Sequence, residues 1–123
     1  SIEVAPIPAA GVKPDWQRKI TVQLTRAELT AFCGVMFGLR KEATGSYHGD
    51  ANNKSCALYN NGKSGVALIV SHRGEQLHHF LSADDRMEAA VFFIRRLAEA
   101  WKVSSSDAIA LLRQAAWMDK HLI

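Results

Sequence analysis

A chain of 123 residues, 48% hydrophobic and 22% charged, has the length and balance of one folded domain. Such a chain buries enough surface to fold without metal or disulfides, and its composition excludes global disorder. No apolar run nears the ~18 residues of a membrane span, and no charged-then-apolar leader opens the sequence, so neither a membrane helix nor a signal peptide is expected.

Lys and Arg number 15 against 12 Asp and Glu, a net charge of +3. The excess is local. Between positions 40 and 73 stand Arg40, Lys41, Lys54, Lys63 and Arg73, against Glu42 and Asp50. A polyanion partner fits that distribution, although the field is modest beside that of a typical DNA-binding domain. Cys33 and Cys56 have apolar neighbours and read as buried free thiols, which fits a reducing, cytoplasmic setting.

Residues 1–15 contain all three prolines, Pro6, Pro8 and Pro14, and read as a flexible tail ahead of a single domain at 16–123. Ile20, Val22 and Leu24 alternate with Thr21 and Gln23, the period of a half-buried strand. Thr25 with Glu28 three residues on is a capping box, so a helix starts there. Leu29, Phe32, Cys33 and Met36 form its apolar face, with Gly34 allowing close approach and Gly38 placed to end it.

Residues 41–82 read as four strands, near 41–49, 55–60, 65–73 and 76–82. Asn61 followed by Gly62 marks a tight hairpin with positive φ at Gly62. A second turn is expected over residues 73–76. Ser82 then caps a long helix whose stripe is Met87, Ala90, Val91, Ile94, Leu97, Ala98 and Trp101, with Phe92 and Phe93 off it. Asp84 and Asp85 suit its first turn as complements to the helix dipole. A last helix spans 105–121, with Ile109, Leu112 and Ala116 inward and Leu111 and Trp117 on its flank. The fold is therefore α+β: an antiparallel meander packed with about three helices, in the order β-α-β-β-β-β-α-α.

Two-residue loops at Asn61 and Gly62 and at Gly74 and Glu75 would pair Cys56 with Ala67 and Ile69 with Phe80. One face then carries Ala57, Tyr59, Val66, Leu68, Val70, Leu77 and Leu81. The other carries Lys54, Cys56, Leu58, Ala67, Ile69, Ser71, Arg73, Gln76, His78 and Phe80. A one-residue slip would exchange the faces. The second face mixes a ring, aliphatic surface and cations. The first helix, a second copy of the chain, or a ligand that stacks and pairs with cations would each cover it. Single-stranded nucleic acid is such a ligand, because every base has a π-face and every nucleotide a charge.

Positions 41–101, four meandering strands feeding a long amphipathic helix, resemble the whirly-like and positive-cofactor-four-like single-stranded-DNA-binding proteins, and especially small bacterial transcription regulators of that kind. The resemblance is architectural and covers about half the chain. It implies that basic and aromatic strand residues contact a single strand, here Lys41, Tyr47, Lys54, Lys63, Arg73, His78 and Phe80, and that the chain is a homodimer. The helix at 105–121 is additional to the simplest members.

Other chemistry finds little footing. His72, His78 and His79 flank one turn, but no third ligand has recognisable spacing, so no metal or cofactor is expected. No nucleophile elbow or phosphate loop is present, and the chain is not expected to be an enzyme. The sequence thus leads to non-catalytic binding of single-stranded nucleic acid, DNA rather than RNA. The alternative is a protein-interaction or assembly subunit without a nucleic-acid role.

Overall fold

The computed structural model describes residues 2–48 and 53–122, with backbone alone at Tyr47 and His48. It is an α+β fold of two antiparallel sheets and three helices. A ribbon pairs β1 (Ile2–Val4) with β2 (Ile20–Val22). After helix α1 (Arg26–Met36) come β3 (Glu42–His48), β4 (Lys54–Asn60), β5 (Val66–His72) and β6 (Glu75–Leu81), which form a meander in spatial order β3-β4-β5-β6. Helices α2 (Ala83–Trp101) and α3 (Ser105–His121) close the chain.

Local chemistry sets the helix ends. The capping box is formed: the Glu28 amide donates to Thr25 Oγ1 at 3.2 Å, and the Thr25 amide to Glu28 Oε1 at 2.8 Å. At the other end of α1, Gly38 has φ +74°. The Leu39 amide reaches the Gly34 carbonyl and the Gly38 amide that of Val35, which together make a Schellman motif. Ser82 and Ser104 cap α2 and α3 by accepting from the Asp85 and Asp107 amides. Gly34 does permit a close approach, but its neighbour is the side chain of Arg40, not another helix backbone.

Three residues of the amino-terminal stretch read as tail, Ile2–Val4, are paired in the ribbon, and Ile2 and Val4 pack on the core. The ribbon and α1 lie on one face of the four-stranded sheet. Phe32, Val35 and Met36 of α1 and Ile20 and Val22 of β2 meet Ala43, Cys56, Leu58, Val66 and Val70 there. A second cluster joins Cys33 of α1 to Ile94, Leu97 and Ala98 of α2 and Ala108 and Leu112 of α3.

Both hairpin registers differ from expectation. The β4–β5 connection is a five-residue loop, 61–65, with a 3-10 turn at Gly62–Ser64. Gly62 has the expected positive φ, +64°, but Asn61 is at −100°, so this is no type I′ turn. The Asn61 amide closes the loop on the Gly65 carbonyl. Three added loop residues shift β4 against β5 by an odd number. Cys56, Leu58 and Lys54 therefore join the core face, and Ala57 and Tyr59 the opposite one. The β5–β6 turn is Arg73 and Gly74, φ +53° and +80°, not Gly74 and Glu75. That two-residue shift is even, so Ile69, His78 and Phe80 keep their shared face.

The long-helix stripe also needs correction. Met87 and Val91 are 59% and 53% exposed, whereas Ala90, Ile94, Leu97 and Ala98 are buried. Phe93, expected off the stripe, packs against both core clusters, with its ring centroid 6.4 Å from that of Phe32. The buried line is thus Ala90, Phe93, Ile94, Leu97, Ala98, rotated from the one that includes Met87. In α3, Ala108 and Leu112 face inward, while Leu111 and Trp117 are exposed.

Candidate nucleic-acid interface

The sheet face turned away from α1 and the ribbon is built from three cross-strand rows. Glu42, Tyr59, Ala67 and Phe80 form the first, and Thr44, Ala57, Ile69 and His78 the second. Ser55, Ser71 and Gln76 form the third. Tyr59, Ala57, Ile69 and Phe80 belong to neither core cluster, and every helix and ribbon residue packed on the sheet does so on the other side. This face is therefore open among the described residues. The first helix does not cover it.

Its composition follows from strand alternation. With apolar residues needed on the core side, the intervening positions of β5 and β6 are left as Ala67, Ile69, Ser71, Gln76, His78 and Phe80. The result is a shallow, nearly neutral surface. Phe80 is 69% exposed. Tyr59 stands two strands away in the same row, about 10 Å across the sheet, and Glu42 is the one acidic side chain among these rows.

The seven residues expected to contact a single strand do not all converge. His78 and Phe80 lie two apart on β6, side by side on the open face. Arg73 is exposed in the β5–β6 turn at one end of the sheet. Lys63, in the 3-10 turn, and Lys41, whose carbonyl accepts from the Asn60 amide at 2.8 Å, are exposed at the opposite end. None of these three cations makes an ion pair among the described residues. Lys54 is a correction: it lies on the core face, half-buried, and its Nζ donates to the Thr21 carbonyl of β2 at 3.1 Å. That bond ties ribbon to sheet and takes Lys54 out of the interface. Tyr47 lies in β3, and its side chain falls outside the described residues.

Tyr59 is the residue that sequence reasoning missed. A two-residue loop would place Tyr59 on the face of Val66 and Val70, which is the core face, whereas the five-residue loop turns it to the opposite one. The Gly at both position 62 and position 65 was the available signal for a longer loop, since each supplies a positive φ. His72 and His79 share the core face, but they pair with Glu75 and Leu68, so they stand apart along the sheet. Among the described residues no group of three His, Cys, Asp or Glu is disposed to hold a metal ion, and no helix is long and apolar enough to cross a membrane.

The chemistry of the site is that of a platform. Among the described residues it presents an exposed aromatic ring, flat aliphatic surface and hydroxyl and amide groups, with cations at both ends. Burial pushes the Cys33 thiol up to about 12 and, with help from the Glu28 charge, the Cys56 thiol up to about 11. Both are inert core groups on the sheltered side.

No family model, curated protein or solved structure matches the chain.

Proposed function

We propose that this chain binds single-stranded nucleic acid, DNA in preference to RNA, through the open sheet face and without catalysis. It would act as a homodimer in the cytoplasm, as an accessory protein in transcription or another DNA transaction. The observation that carries the reading is the open face itself, with Phe80 presented on it and Arg73, Lys41 and Lys63 at its two ends. Bases stack on Phe80 and Tyr59 while the terminal cations meet backbone phosphates. The four-strand meander feeding α2 supports kinship with the whirly-like and positive-cofactor-four-like proteins, and two unpaired thiols suit a reducing compartment.

A second reading, a protein-interaction subunit, draws support from a different surface. Leu111, Met118 and Leu122 are exposed along α3 and its end, and Met87 and Val91 on α2. Fluorescence anisotropy with labelled oligo-dT at two salt concentrations separates the readings. The nucleic-acid reading requires binding that weakens steeply as salt rises, because phosphate contacts release counterions. Absence of binding at low salt would leave the interaction subunit as the surviving account.

A further inference from the structure

The strand β6 ends the sheet, and nothing pairs with its outer side among the described residues. The two-residue turn at Arg73 and Gly74 makes His72 and Glu75 a hydrogen-bonded pair, and the alternation continues to Val70 with Leu77 and Leu68 with His79. The N–H and C=O groups of Gln76, His78 and Phe80 therefore point away from β5. Natural edges of this length are usually blunted by Lys, Pro, a bulge or a covering loop. This strand carries no Lys, no Pro and no bulge: its one formal charge is Glu75 at the turn end, which meets Arg18 at 3.6 Å, and residues 76–81 read Gln, Leu, His, His, Phe, Leu in uninterrupted register.

Exposed apolar side chains stand on both sides of the edge, among polar ones. Phe80 projects from the open face. Beneath the sheet, Ile7 and Trp16 are exposed beside a groove of about 300 Å³ that they line with Val4, Ala5, Pro14, Leu68 and His79, and with Glu3 as its one charged residue. An unpaired strand flanked above and below by exposed apolar side chains has the makeup of an interface interior.

We propose that β6 pairs antiparallel with β6 of a second copy, about a twofold axis at His78, joining two four-stranded sheets into one of eight strands. Self-complementarity selects the second copy as occupant. With His78 opposite the partner subunit's His78, Gln76 meets the partner's Phe80 and Phe80 meets the partner's Gln76. This is the one register that satisfies all three outward residues of both strands. It opposes no like formal charges. On the lower side, His79 faces the partner's Leu77 next to the Ile7 and Trp16 groove. The proposal rests on the homodimer part of the reading above and gives it a surface. The open face then runs continuously across the axis, with its two Phe80 rings about 13 Å apart along the strand direction.

His78→Pro is the test, because the His78 N–H points outward and makes no bond in the single chain, so proline there blocks pairing with little effect on the fold. Sedimentation should give a dimer for the unaltered chain. For His78→Pro with unchanged circular dichroism it should give a monomer, the self-association constant weakened at least about tenfold. A dimer that survives His78→Pro overturns the proposal, as does a monomeric unaltered chain at high micromolar concentration. If His78→Pro fails to fold, hydrogen exchange on the unaltered chain decides. Amides of Gln76, His78 and Phe80 as slow as those of Leu77 and His79 support pairing, and fast exchange overturns it. Oligo-dT titration of the unaltered chain tests the nucleic-acid reading separately, since a monomer still presents Phe80 and Tyr59.

Discussion

Ala67 and Phe80 face each other across the β5–β6 ladder, the first 8% exposed and the second 69%. A methyl group opposite the ring means that no large side chain buries it from that direction. Phe80 is thus an aromatic held by its strand yet left open to solvent, which is the arrangement a stacking platform needs.

Replacing Phe80 with Ala should consequently separate binding from stability. Exposed substitutions of this kind change stability by only about 0.5 kcal/mol or less. Loss of one base–aromatic stack is worth about 1–3 kcal/mol, so affinity for oligo-dT should fall about ten- to hundredfold. A large drop in the unfolding midpoint with unchanged binding would make Phe80 a packing residue.

The helices give the opposite contrast. Leu97 is fully buried between α1 and α3, and Leu97→Ala should cost about 2–5 kcal/mol in urea unfolding. Met87→Ala, on the same helix but exposed, should be nearly neutral. Equal effects would mean that the buried side of α2 is misassigned.

How much of this was legible in the sequence depended on distance along the chain. The capping box at Thr25, the Gly38 stop and the Ser82 cap are local, and each stands where the residues indicated. The four strands were legible from alternation and β-branched runs. The β4–β5 register was not, because it is set by how many residues the loop consumes, and Asn61 with Gly62 resembles a shorter turn. One odd shift exchanged Tyr59 for Leu58 and withdrew Lys54 from the site. The α2 stripe failed for a related reason: Met87 and Val91 satisfy helical spacing as well as Phe93 does, and only the position of α1 decides between them.

The loop glycines differ in kind. Gly65 has φ +98°, and a Cβ there would collide with the Leu81 carbonyl oxygen, whereas Gly62 at +64° has open space around it. Gly62→Ala should show backbone strain alone, about 1–2 kcal/mol. Gly65→Ala should cost clearly more by denaturant unfolding, and equal costs would contradict the close approach of the loop to the end of β6.

Arg73 allows its charge to be tested without loss of fold. Its φ of +53° suits Asn better than Arg, since Asn tolerates the left-handed region and favours such turns. Arg73→Asn should hold or raise the melting temperature while reducing the slope of log K against log salt by about 0.7. An unchanged slope would remove Arg73 from the interface.

The two thiols set an alkaline limit. Both are raised above the ordinary 9.0 by burial, to about 12 and about 11. As pH climbs past 9.0 the unfolded chain loses these protons first, so unfolding releases protons and stability falls until the folded-state values are passed. The decline should be shallower in a variant carrying Cys33→Ala and Cys56→Ala, measured by unfolding at about pH 8 and about pH 10.5. Identical declines would mean that the thiols are accessible in the native state.

If the open sheet face receives the nucleic acid, amide chemical shifts followed during titration with oligo-dT will report it residue by residue. The expected result is a set of perturbed amides at Tyr59, Ile69, His78 and Phe80 and in the turns holding Arg73 and Lys63, with α3 unmoved. Perturbations confined to Leu111, Met118 and their neighbours on α3, or none at saturating oligonucleotide, would contradict it.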